Sequence, residues 1–551
     1  MRSPNVILEN LQKHSAAEGY RYERLYRNLY NPDFYLQAHR NIYADNGAVT
    51  PGIGGIAPGG PGVQNIERLI AGMKDRSYQP RPAKKSHTQK KNGKMRPLGI
   101  VSPDDMLVQE IIRMVLESIF EPTFSNLSHG FRAKRSCHTA LLQIQRNFTG
   151  ARWFVEGGIK ACLDKIDHHI LAGILRRRIK DEPFIEVIWK FLKAGHLGDW
   201  AYGATYSGAA HGSGFGQILA NIYLNEFDRH MEEYANKFNA GAARKHNSEY
   251  GELQGRHQEY VESHRKIWDG LSADEKKAAL KEAKRLRNDC QSVQIEDQMD
   301  GSYRRVQYTR YADDFLVGVI GSRGDAERIK GDIMSFLQDE LKLEQSVDMA
   351  FVKSGKGKAR FLGYDIAVCK DKPSAKTNGG HTRTYCGRVK LYVPKDKWVG
   401  RLLQHGMLRI TNKAGEKEKW MPLQRNEYIY LPPGEMVMKY NEQIRGLYNY
   451  YRIADNASVL NKFHYVMEYS LYKTIAAKFK TTMAKAKKKY SRDKVFSAPR
   501  ETTNGTEYAA LYNEGFATDK TPLCASVDIT PEYSHLCKQS EPPCRHKAGK
   551  R

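Results

Sequence analysis

The sequence predicts an α+β fold, because segments with helical spacing and short apolar strands both occur along the chain. Residues 103–120 and 218–238 repeat apolar side chains at helical spacing, which predicts two long helices. Residues 303–320 predict two apolar strands in a hairpin that turns at Asp313-Asp314, and residues 153–175 predict a strand followed by a helix. These segments together indicate helices packed on a sheet around a shared core.

The stretches between these elements predict exposed connections. Residues 50–62 are rich in Gly and Pro, which cannot continue a helix or a central strand. Asn92-Gly93, within a basic segment, predicts a hairpin turn. Residues 240–300 are highly charged without a strong apolar stripe and predict an exposed helical excursion. Residues 371–382 have the composition of a linker.

The charge balance points to an acidic partner. The chain has 551 residues, enough for two to four domains, with 88 Lys and Arg against 62 Asp and Glu, a net charge of +26. Nucleic acid is the favoured partner, because each neutralised phosphate releases counterions. An accidental basic surface and an anionic membrane are the weaker alternatives. No apolar run is long enough to span a bilayer, and the first 30 residues lack a signal-peptide or transit pattern.

The eight cysteines include no C-x-x-C pair, which disfavours a zinc knuckle and indicates a reducing compartment. Cysteine and histidine residues do cluster near the end of the chain. We favour a frayed tail with chance Cys and His residues over a metal site there. The cluster consists of Cys524, His535, Cys537, Cys544 and His546.

Two helices predicted after residue 445 combine apolar stripes with many basic residues. Leu447, Tyr450 and Tyr451 fall at helical spacing, and residues 460–471 repeat the pattern. The inward stripes indicate an ordinary core. The outward face has many lysines among aromatic residues, a composition that suits an RNA backbone and base stacking better than a mixed-sign solvated face. The candidate RNA-binding residues are Arg445, Lys473, Lys478, Lys480 and Lys485.

The tetrapeptide Tyr311-Ala312-Asp313-Asp314 places two carboxylates at a turn between apolar strands. One interpretation is an ordinary Asp-rich turn. The other is a Mg²⁺ site, because a hard divalent cation prefers carboxylate oxygens and cancels their repulsion.

Five blocks that occur in this order carry a specific resemblance. They are RPLGIVSPDDMLVQE (96–110), FEPTFSNLSHGFRAKRSCHTALLQIQ (120–145), ILANIYLNEFD (218–228), RYADDFLVG (310–318) and RFLGYDI (360–366). The chain resembles group II intron-encoded reverse transcriptases, also called maturases, from about residue 20 to about residue 525. Residues 445–474 resemble the family's maturase or thumb region, domain X.

The resemblance implies a right-hand polymerase with fingers and an antiparallel palm sheet, followed by an α-helical thumb. The implied divisions are fingers and palm at 1–370, a linker at 371–382, thumb or domain X at 383–490 and a partial DNA-binding-like tail at 491–551. The family's optional endonuclease is not recognisable after the tail begins, so we expect no DNA cleavage. The implied partners are the host intron RNA and, in an active enzyme, dNTPs, Mg²⁺ and a DNA target or primer.

The family pattern also assigns roles to individual residues. Asp313 and Asp314 would hold metal and act in catalysis, with Tyr311 beside the nucleotide. Lys90 and Arg96 would clamp the triphosphate of the dNTP. The loop SGAAHGSGFGQ at 207–217 has His211 where the family has Gln. That loop normally supports the template and the nucleotide pocket.

One departure bears directly on catalysis. The family has a third metal-binding Asp on the preceding palm strand, where this chain has Gly158 within EGGIKACLDKID. Asp164 and Asp167 come after the end of the predicted strand, so we do not expect them to replace the carboxylate that the strand lacks. Losing this carboxylate predicts a polymerase slowed by about 10³-fold or more.

These observations favour a maturase with impaired polymerase activity that assists intron splicing. The alternatives are an active RNA-directed DNA polymerase that recruits Asp164 or Glu156, and a degenerate protein that binds RNA non-specifically. The bacterial cytoplasm is the favoured compartment, with a mitochondrial or plastid matrix as the alternative. The sequence does not decide the oligomeric state.

Overall fold

The fold is built on a four-stranded sheet with a helical layer on it, followed by a second, largely helical region. The computed structural model describes residues 2–17, 19–43, 62–89, 95–159, 165–194, 196–198, 201–203, 214–297, 300–343, 351–353, 357–369, 374–377, 380–383, 387–411, 418–492, 495–502 and 505–523. The mixed helix and strand content of these residues confirms the predicted α+β class.

The α-helices occur along the whole chain. In order they are α1 (Pro4–Ser15), α2 (Pro32–Tyr43), α3 (Val63–Lys74), α4 (Pro103–Phe120), α5 (Cys137–Asn147), α6 (His168–Arg178), α7 (Glu182–Lys193), α8 (Gly214–Phe238), α9 (Ser248–Ile267), α10 (Ala273–Ser292), α11 (Arg323–Asp339), α12 (Lys395–Gln404), α13 (Pro433–Tyr451), α14 (Leu460–Lys478) and α15 (Met483–Tyr490).

The strands are short and mostly paired as neighbours in sequence. In order they are β1 (Ala83–Gln89), β2 (Met95–Ile100), β3 (Trp153–Gly158), β4 (His196–Gly198), β5 (Ala201–Gly203), β6 (Arg305–Tyr311), β7 (Asp314–Ile320), β8 (Phe351–Lys353), β9 (Ala359–Phe361), β10 (Tyr364–Val368), β11 (Ser374–Thr377), β12 (Gly380–Arg383), β13 (Val389–Tyr392), β14 (Leu408–Thr411), β15 (Lys419–Pro422), β16 (Ser491–Arg492), β17 (Val495–Thr502) and β18 (Gly505–Ala510).

The central sheet has the order β6-β7-β3-β8, and all of its pairings are antiparallel. β7 is buried along nearly its whole length, which explains why its sequence FLVGVI is continuously apolar. One face of the sheet packs on α8 and α11, and α8 in turn packs on α4 to form the first hydrophobic core. The predicted helices at 103–120 and 218–238 are therefore confirmed.

A second core joins the other side of the sheet to the C-terminal part of the chain. Phe154 and Leu316 of the central sheet lie in one buried cluster with residues of α13 and α14. Two hydrogen bonds tie the β9–β10 turn to α13: the Tyr450 hydroxyl donates to the Leu362 carbonyl (2.6 Å), and the Tyr451 hydroxyl donates to the Gly363 carbonyl (3.0 Å). The C-terminal helical region, residues 433–490, is thus packed directly onto the sheet layer.

Residues after 490 continue into this second core. Phe496 on β17 and Leu511 after β18 are buried in the same cluster. The Asn441 side chain of α13 donates to the Ala510 carbonyl and accepts from the Tyr512 backbone N–H (2.7 and 2.8 Å). The sequence-based division at residue 490 stays a prediction, and the cysteine and histidine cluster after residue 523 lies outside the described residues.

The structure refines three local predictions. The hairpin turn is centred on Ala312-Asp313, not Asp313-Asp314, because Tyr311 pairs with Asp314. The 240–300 excursion is confirmed as helical and exposed, and α9 has no buried residue. Within the predicted linker at 371–382, β11 and β12 pair as a small antiparallel ladder. Among the described residues, no helix is both long and apolar enough to cross a bilayer.

Candidate functional site

The two acidic residues lie at the tip of the β6–β7 hairpin. Tyr311 pairs with Asp314 across a two-residue turn, and Ala312 adopts a φ of 54°. A positive φ at this turn position matches the right-handed twist of the flanking strands, but it is strained for a residue with a Cβ. The surrounding structure must therefore hold the turn in place.

An ion pair buried beneath the turn supplies this support. The Arg310 guanidinium donates to both carboxylate oxygens of Asp228 on α8 (2.8 and 2.6 Å), and both side chains are at most 1% exposed. The same guanidinium donates to the Ala312 carbonyl (2.8 Å) and to the Ser128 hydroxyl (2.7 Å). The Tyr308 hydroxyl donates to Asp228 as well (2.9 Å). One arginine therefore fixes the turn to the helix behind it.

The loop before α5 presses on the same turn from another side. The His129 backbone N–H donates to the Arg310 carbonyl (2.9 Å), and the Asn221 side chain donates to the Gly130 carbonyl (3.0 Å). A Cβ added at Gly130 would lie 2.3 Å from the Ala312 nitrogen. Only glycine permits this approach, so the HGF sequence is explained by its contact with the hairpin tip.

The carboxylates themselves are in an unusual electrostatic environment. Asp314 begins β7 at its exposed end, yet desolvation of its carboxyl group by the surrounding chain, and secondarily the adjacent Asp313 charge, raise its pKa to about 7. A carboxyl group with this pKa is poised to bind a cation, because a nearby positive charge would restore its ionised form. The pair thus has the electrostatics of a cation site. Asp313 and Asp314 are the two carboxylates that the hairpin contributes to it.

Gly158 lies directly across the sheet from this pair. In the β3–β7 register Gly158 is opposite Asp314, and the Ile159 backbone N–H donates to the Asp313 carbonyl (2.9 Å). The residue before it, Gly157, is required by packing, because a Cβ there would lie 2.1 Å from the Phe315 ring. Gly158 is therefore the position from which β3 would present a third carboxylate, and it has no side chain.

Neither described carboxylate near this strand replaces the missing one. Glu156 accepts the Arg360 backbone N–H (2.8 Å), and its raised pKa results from burial, opposed by Arg360. Asp167 caps α6, where it accepts the backbone N–H groups of His169 and Ile170 (2.8 and 3.0 Å). Asp164 lies outside the described residues. Within the described part of the chain, no group of three or more His, Cys, Asp or Glu side chains is arranged to hold a metal ion.

The described residues include some of the other predicted polymerase residues but not all of them. Tyr311 is buried in the second core, and its hydroxyl has no hydrogen-bond partner among the described residues. Arg96 lies on β2 opposite Thr88, which fixes its backbone position only. Lys90 and His211 lie outside the described residues. The structure therefore groups Tyr311 with the two aspartates and leaves the triphosphate clamp as a prediction.

The five candidate RNA-binding residues lie in three different environments. Lys473 and Lys478 donate to the backbone carbonyls of Pro422 and Ile429 (2.7 and 2.9 Å), so both ammonium groups hold the chain before α13 against α14. Arg445 lies over the Tyr512 ring at 5.9 Å. Lys480 and Lys485 are exposed. The same exposed surface continues through Lys487, Lys488 and Lys489 on α15.

The residues that position the hairpin were not predicted from the sequence. Arg310, Asp228 and Asn221 were present within the quoted blocks but were assigned no role. A usable signal was available, because Arg310 is a charge inside an apolar strand and Asp228 follows the apolar face of α8. Charges in such positions are expected to be paired when buried.

Comparisons with known proteins agree with this geometry. A reverse transcriptase (RNA-dependent DNA polymerase) model matches residues 88–247, and a type II intron maturase model matches residues 386–520. The chain is 40% identical over 488 residues to the group II intron-encoded protein LtrA of Lactococcus lactis, covering 88% of this chain and 80% of that protein. It is 33% identical over 503 residues to an uncharacterized 91 kDa protein in the cob intron of Schizosaccharomyces pombe, covering 89% and 59%. It is 25% identical over 505 residues to nuclear intron maturase 1, mitochondrial, of Arabidopsis thaliana, covering 78% and 64%.

Residues 88–247 thus belong to a reverse transcriptase domain, which implies a fingers and palm fold, and the antiparallel central sheet is consistent with a palm. A maturase domain follows it. The chain belongs to the family of group II intron-encoded proteins that combine the two.

Removing the charge of Asp228 should lower the free energy of unfolding more than removing the charge of an exposed carboxylate. We expect Asp228→Asn to lower the free energy of unfolding by about 3–5 kcal/mol, because Arg310 would remain buried without a counter-charge. The matched control is Glu327→Gln, which breaks the exposed pair with Arg323 and should cost less than about 1 kcal/mol. Chemical denaturation followed by fluorescence measures both, and equal effects would contradict the role given to the buried pair.

Acid should destabilise the fold through His129. Burial lowers the pKa of His129 to about 4, and its ring contacts the Thr139 hydroxyl and the Gln143 amide oxygen. In the unfolded chain the pKa of a histidine is near 6.5. The contribution of His129 to the free energy of unfolding is therefore constant above about pH 6.5 and decreases as the pH falls from about 6.5 to 4. We expect a loss of about 2 kcal/mol from this group between pH 7 and pH 5.

The measurement is the denaturation midpoint at several pH values for the original chain and for His129→Gln. The variant should lose part of the pH dependence, whereas His169→Gln, at an exposed position, should retain all of it. An unchanged pH profile in His129→Gln would show that the histidine does not titrate as described.

Proposed function

We propose that this protein is a maturase that binds the RNA of its host group II intron and assists its splicing, with an impaired polymerase site. The observation that carries the proposal is the register of the palm sheet, in which Gly158 stands opposite Asp314. Reverse transcriptases generally use Mg²⁺. Here the strand facing the acidic pair offers that cation no side-chain ligand.

The chemistry of nucleotide addition explains why this position matters. Two divalent cations stabilise the attacking and leaving oxygens of phosphoryl transfer. Two such ions carry four positive charges close together, and carboxylates from more than one strand are needed to hold them. Asp313 and Asp314 come from a single turn, and Glu156 and Asp167 are engaged elsewhere. The described residues therefore do not fit a complete two-metal site.

The proposed RNA-binding surface is independent of that defect. Exposed lysines of α15 lie beside aromatic rings. Lys489 is 5.3 Å from the centre of the exposed Phe479 ring, and Lys487 is 5.1 Å from that of Tyr472, which is buried and therefore does not offer a stacking face. Arg492 stacks over Tyr508 at 3.4 Å. Cations neutralise backbone phosphates and aromatic rings stack on unpaired bases, so this mixture suits RNA. We propose that residues 383–490 are the thumb, that Lys480 and Lys485 contact RNA directly, and that Lys473 and Lys478 support that surface from behind.

The alternative function is an active RNA-directed DNA polymerase. It is favoured by the intact support of the hairpin, in which Arg310 and Asp228 hold the two aspartates in place. In that case Lys90 and Arg96 would clamp the dNTP, His211 would stand by the template, and a DNA target or primer would join the partners. The relatives include a bacterial and a mitochondrial protein, so we propose the bacterial cytoplasm with an organelle matrix as the alternative.

Restoring the third carboxylate should restore polymerase activity. In primer extension on poly(rA) with oligo(dT) and Mg²⁺, we expect at most trace cDNA synthesis from the original chain. Gly158→Asp should raise the rate by about 10³-fold, because it returns a ligand next to Asp314. Adding Asp313→Asn to Gly158→Asp should remove the gain, which controls for effects away from the metal ligands. Robust synthesis by the original chain, unimproved by Gly158→Asp, would refute the impaired-polymerase proposal.

Splicing should depend on the basic surface and not on total charge. We expect the protein to accelerate splicing of its cognate intron, and simultaneous Lys487→Ala, Lys488→Ala and Lys489→Ala to weaken intron binding by about 10-fold at physiological salt. The matched control neutralises three exposed lysines of α10 (Lys277, Lys281 and Lys284) and should leave binding nearly unchanged. An excess of unrelated structured RNA should not displace the intron. Displacement by unrelated RNA, or equal losses in the two triple variants, would instead indicate non-specific binding.

A further inference from the structure

A large cleft lies between the β9–β10–β13 sheet, α12, the β14–β15 hairpin and α14. Its volume is about 1020 Å³, at the upper end of the range for ligand pockets. It is separate from the acidic hairpin, because neither Asp313 nor Asp314 lines it. It is also separate from the α15 lysines described above. The residues assigned above to catalysis or to RNA contact therefore do not line this cleft.

The aromatic lining of the cleft is held rigidly. Trp420 on β15 packs on the buried Trp398 of α12, with ring centres 5.5 Å apart, and its indole N–H donates to Glu418 (3.2 Å). Tyr465 on α14 is 53% exposed, and its ring lies 4.5 Å from that of Tyr469. A large aromatic side chain that remains this exposed while fixed by its neighbours offers a stacking surface at small entropic cost.

Three lysines enter the cleft from three different elements. Lys358 precedes β9, Lys395 begins α12 and Lys462 lies on α14 one helical turn before Tyr465. Lys358 and Lys395 are 53% and 66% exposed. The Lys358 ammonium lies 3.7 Å from Asp365, and the Lys395 ammonium lies 3.4 Å from Glu418. Lys395 also lies 5.8 Å from the centre of the Trp420 ring. Positive charge and aromatic surface are thus interleaved within one cavity.

The acidic residues of the cleft cancel part of this charge. Asp365 and Asp396 both line it, and Arg360 donates to both of them at 2.9–3.1 Å. Arg360 thereby compensates part of their charge, and the exposed Lys462 is the accessible cation beside Tyr465. A cavity with this lining fits a ligand that combines a flat ring with a phosphate.

We propose that this cleft holds an unpaired nucleotide of a single-stranded nucleic acid segment, with its base stacked on Tyr465 and its phosphate near Lys462. In a duplex, neighbouring base pairs stack on both faces of each base, so a duplex cannot use the site. The inference rests on the proposed RNA-binding function and adds to it the place and kind of contact. It predicts a preference for loops or bulges over helices.

The test uses the full chain and fluorescently labelled oligonucleotides of about 12 nucleotides, a length within reach of such sites. The probes are oligo(U) RNA, oligo(dT) DNA and a fully paired RNA hairpin. Tyr465→Ala should weaken oligo(U) binding by about 10-fold and leave binding of the paired hairpin unchanged. Tyr465→Phe, which keeps the ring, should bind like the original chain. Tyr260→Ala removes a tyrosine that stacks on His264 in the excursion and serves as the matched control.

Lysine and tyrosine variants should differ in their salt dependence. Lys462→Ala should reduce the slope of log affinity against log salt by about 0.7, because one phosphate contact to a single strand is lost. Tyr465→Ala should leave that slope unchanged. Oligo(U) carrying 4-thiouridine should crosslink to peptides that contain Trp420 or Tyr465. If Tyr465→Ala loses as much affinity for oligo(dT) as for oligo(U), the cleft binds single-stranded RNA and single-stranded DNA alike, which still supports the proposal.

Two outcomes would overturn the inference. One is unchanged oligo(U) affinity in Tyr465→Ala together with crosslinks only outside the cleft. The other is an equal loss of affinity for the paired hairpin, which would show that the Tyr465 ring does not stack on an unpaired base. Either result leaves the maturase proposal intact if the original chain still prefers its intron, because intron preference and splicing are measured separately.

Discussion

The ion pair between Arg310 and Asp228 is the interaction on which the geometry of the acidic hairpin depends. It joins β6 to α8, and through the Ala312 carbonyl it holds a turn with a positive φ in place. A buried charge pair contributes little net stability compared with apolar residues, but breaking it leaves a costly unpaired charge. Its consequence is therefore specificity: the strand register and the position of the two aspartates are set together, before any ligand binds.

This arrangement separates the scaffold from the catalytic ligands. The contacts beneath and beside the hairpin come from Asp228, Ser128, Gly130 and Asn221. Residue 158 meets the hairpin through backbone pairing with Asp314, which does not depend on its side chain. An aspartate at that position would add a third negative charge beside a pair in which one carboxyl already has a pKa of about 7. Glycine at that position avoids this repulsion. A chain that no longer uses the metal site can therefore keep the palm intact without that aspartate.

The sequence predicted the parts of this molecule that repeat with a regular period. The long helices and the acidic hairpin followed from apolar spacing, and the resemblance identified the family. Polar contacts between residues that are far apart in the sequence could not be predicted in this way. Arg310 and Asp228 are 82 positions apart, and only the packing of β6 on α8 brings them together. Likewise, Lys473 and Lys478 look the same as Lys480 in sequence, yet they bond to backbone carbonyls and Lys480 remains exposed.

The second core joins the palm sheet to the C-terminal helices. Phe154 and Leu316 of the palm sheet share that core with α13 and α14, and the His138 ring lies within hydrogen-bonding distance (2.8 Å) of the Tyr450 carbonyl. Helix α13 packs on α14 and on the β17–β18 hairpin, and the second core joins it to the palm sheet as well. Loss of the palm would expose the apolar side of α13, at a cost of about 25 cal/mol for each Å² uncovered. Selection for RNA binding alone would therefore preserve the fold of the palm, including the ion pair under its hairpin, while leaving its metal ligands free to change.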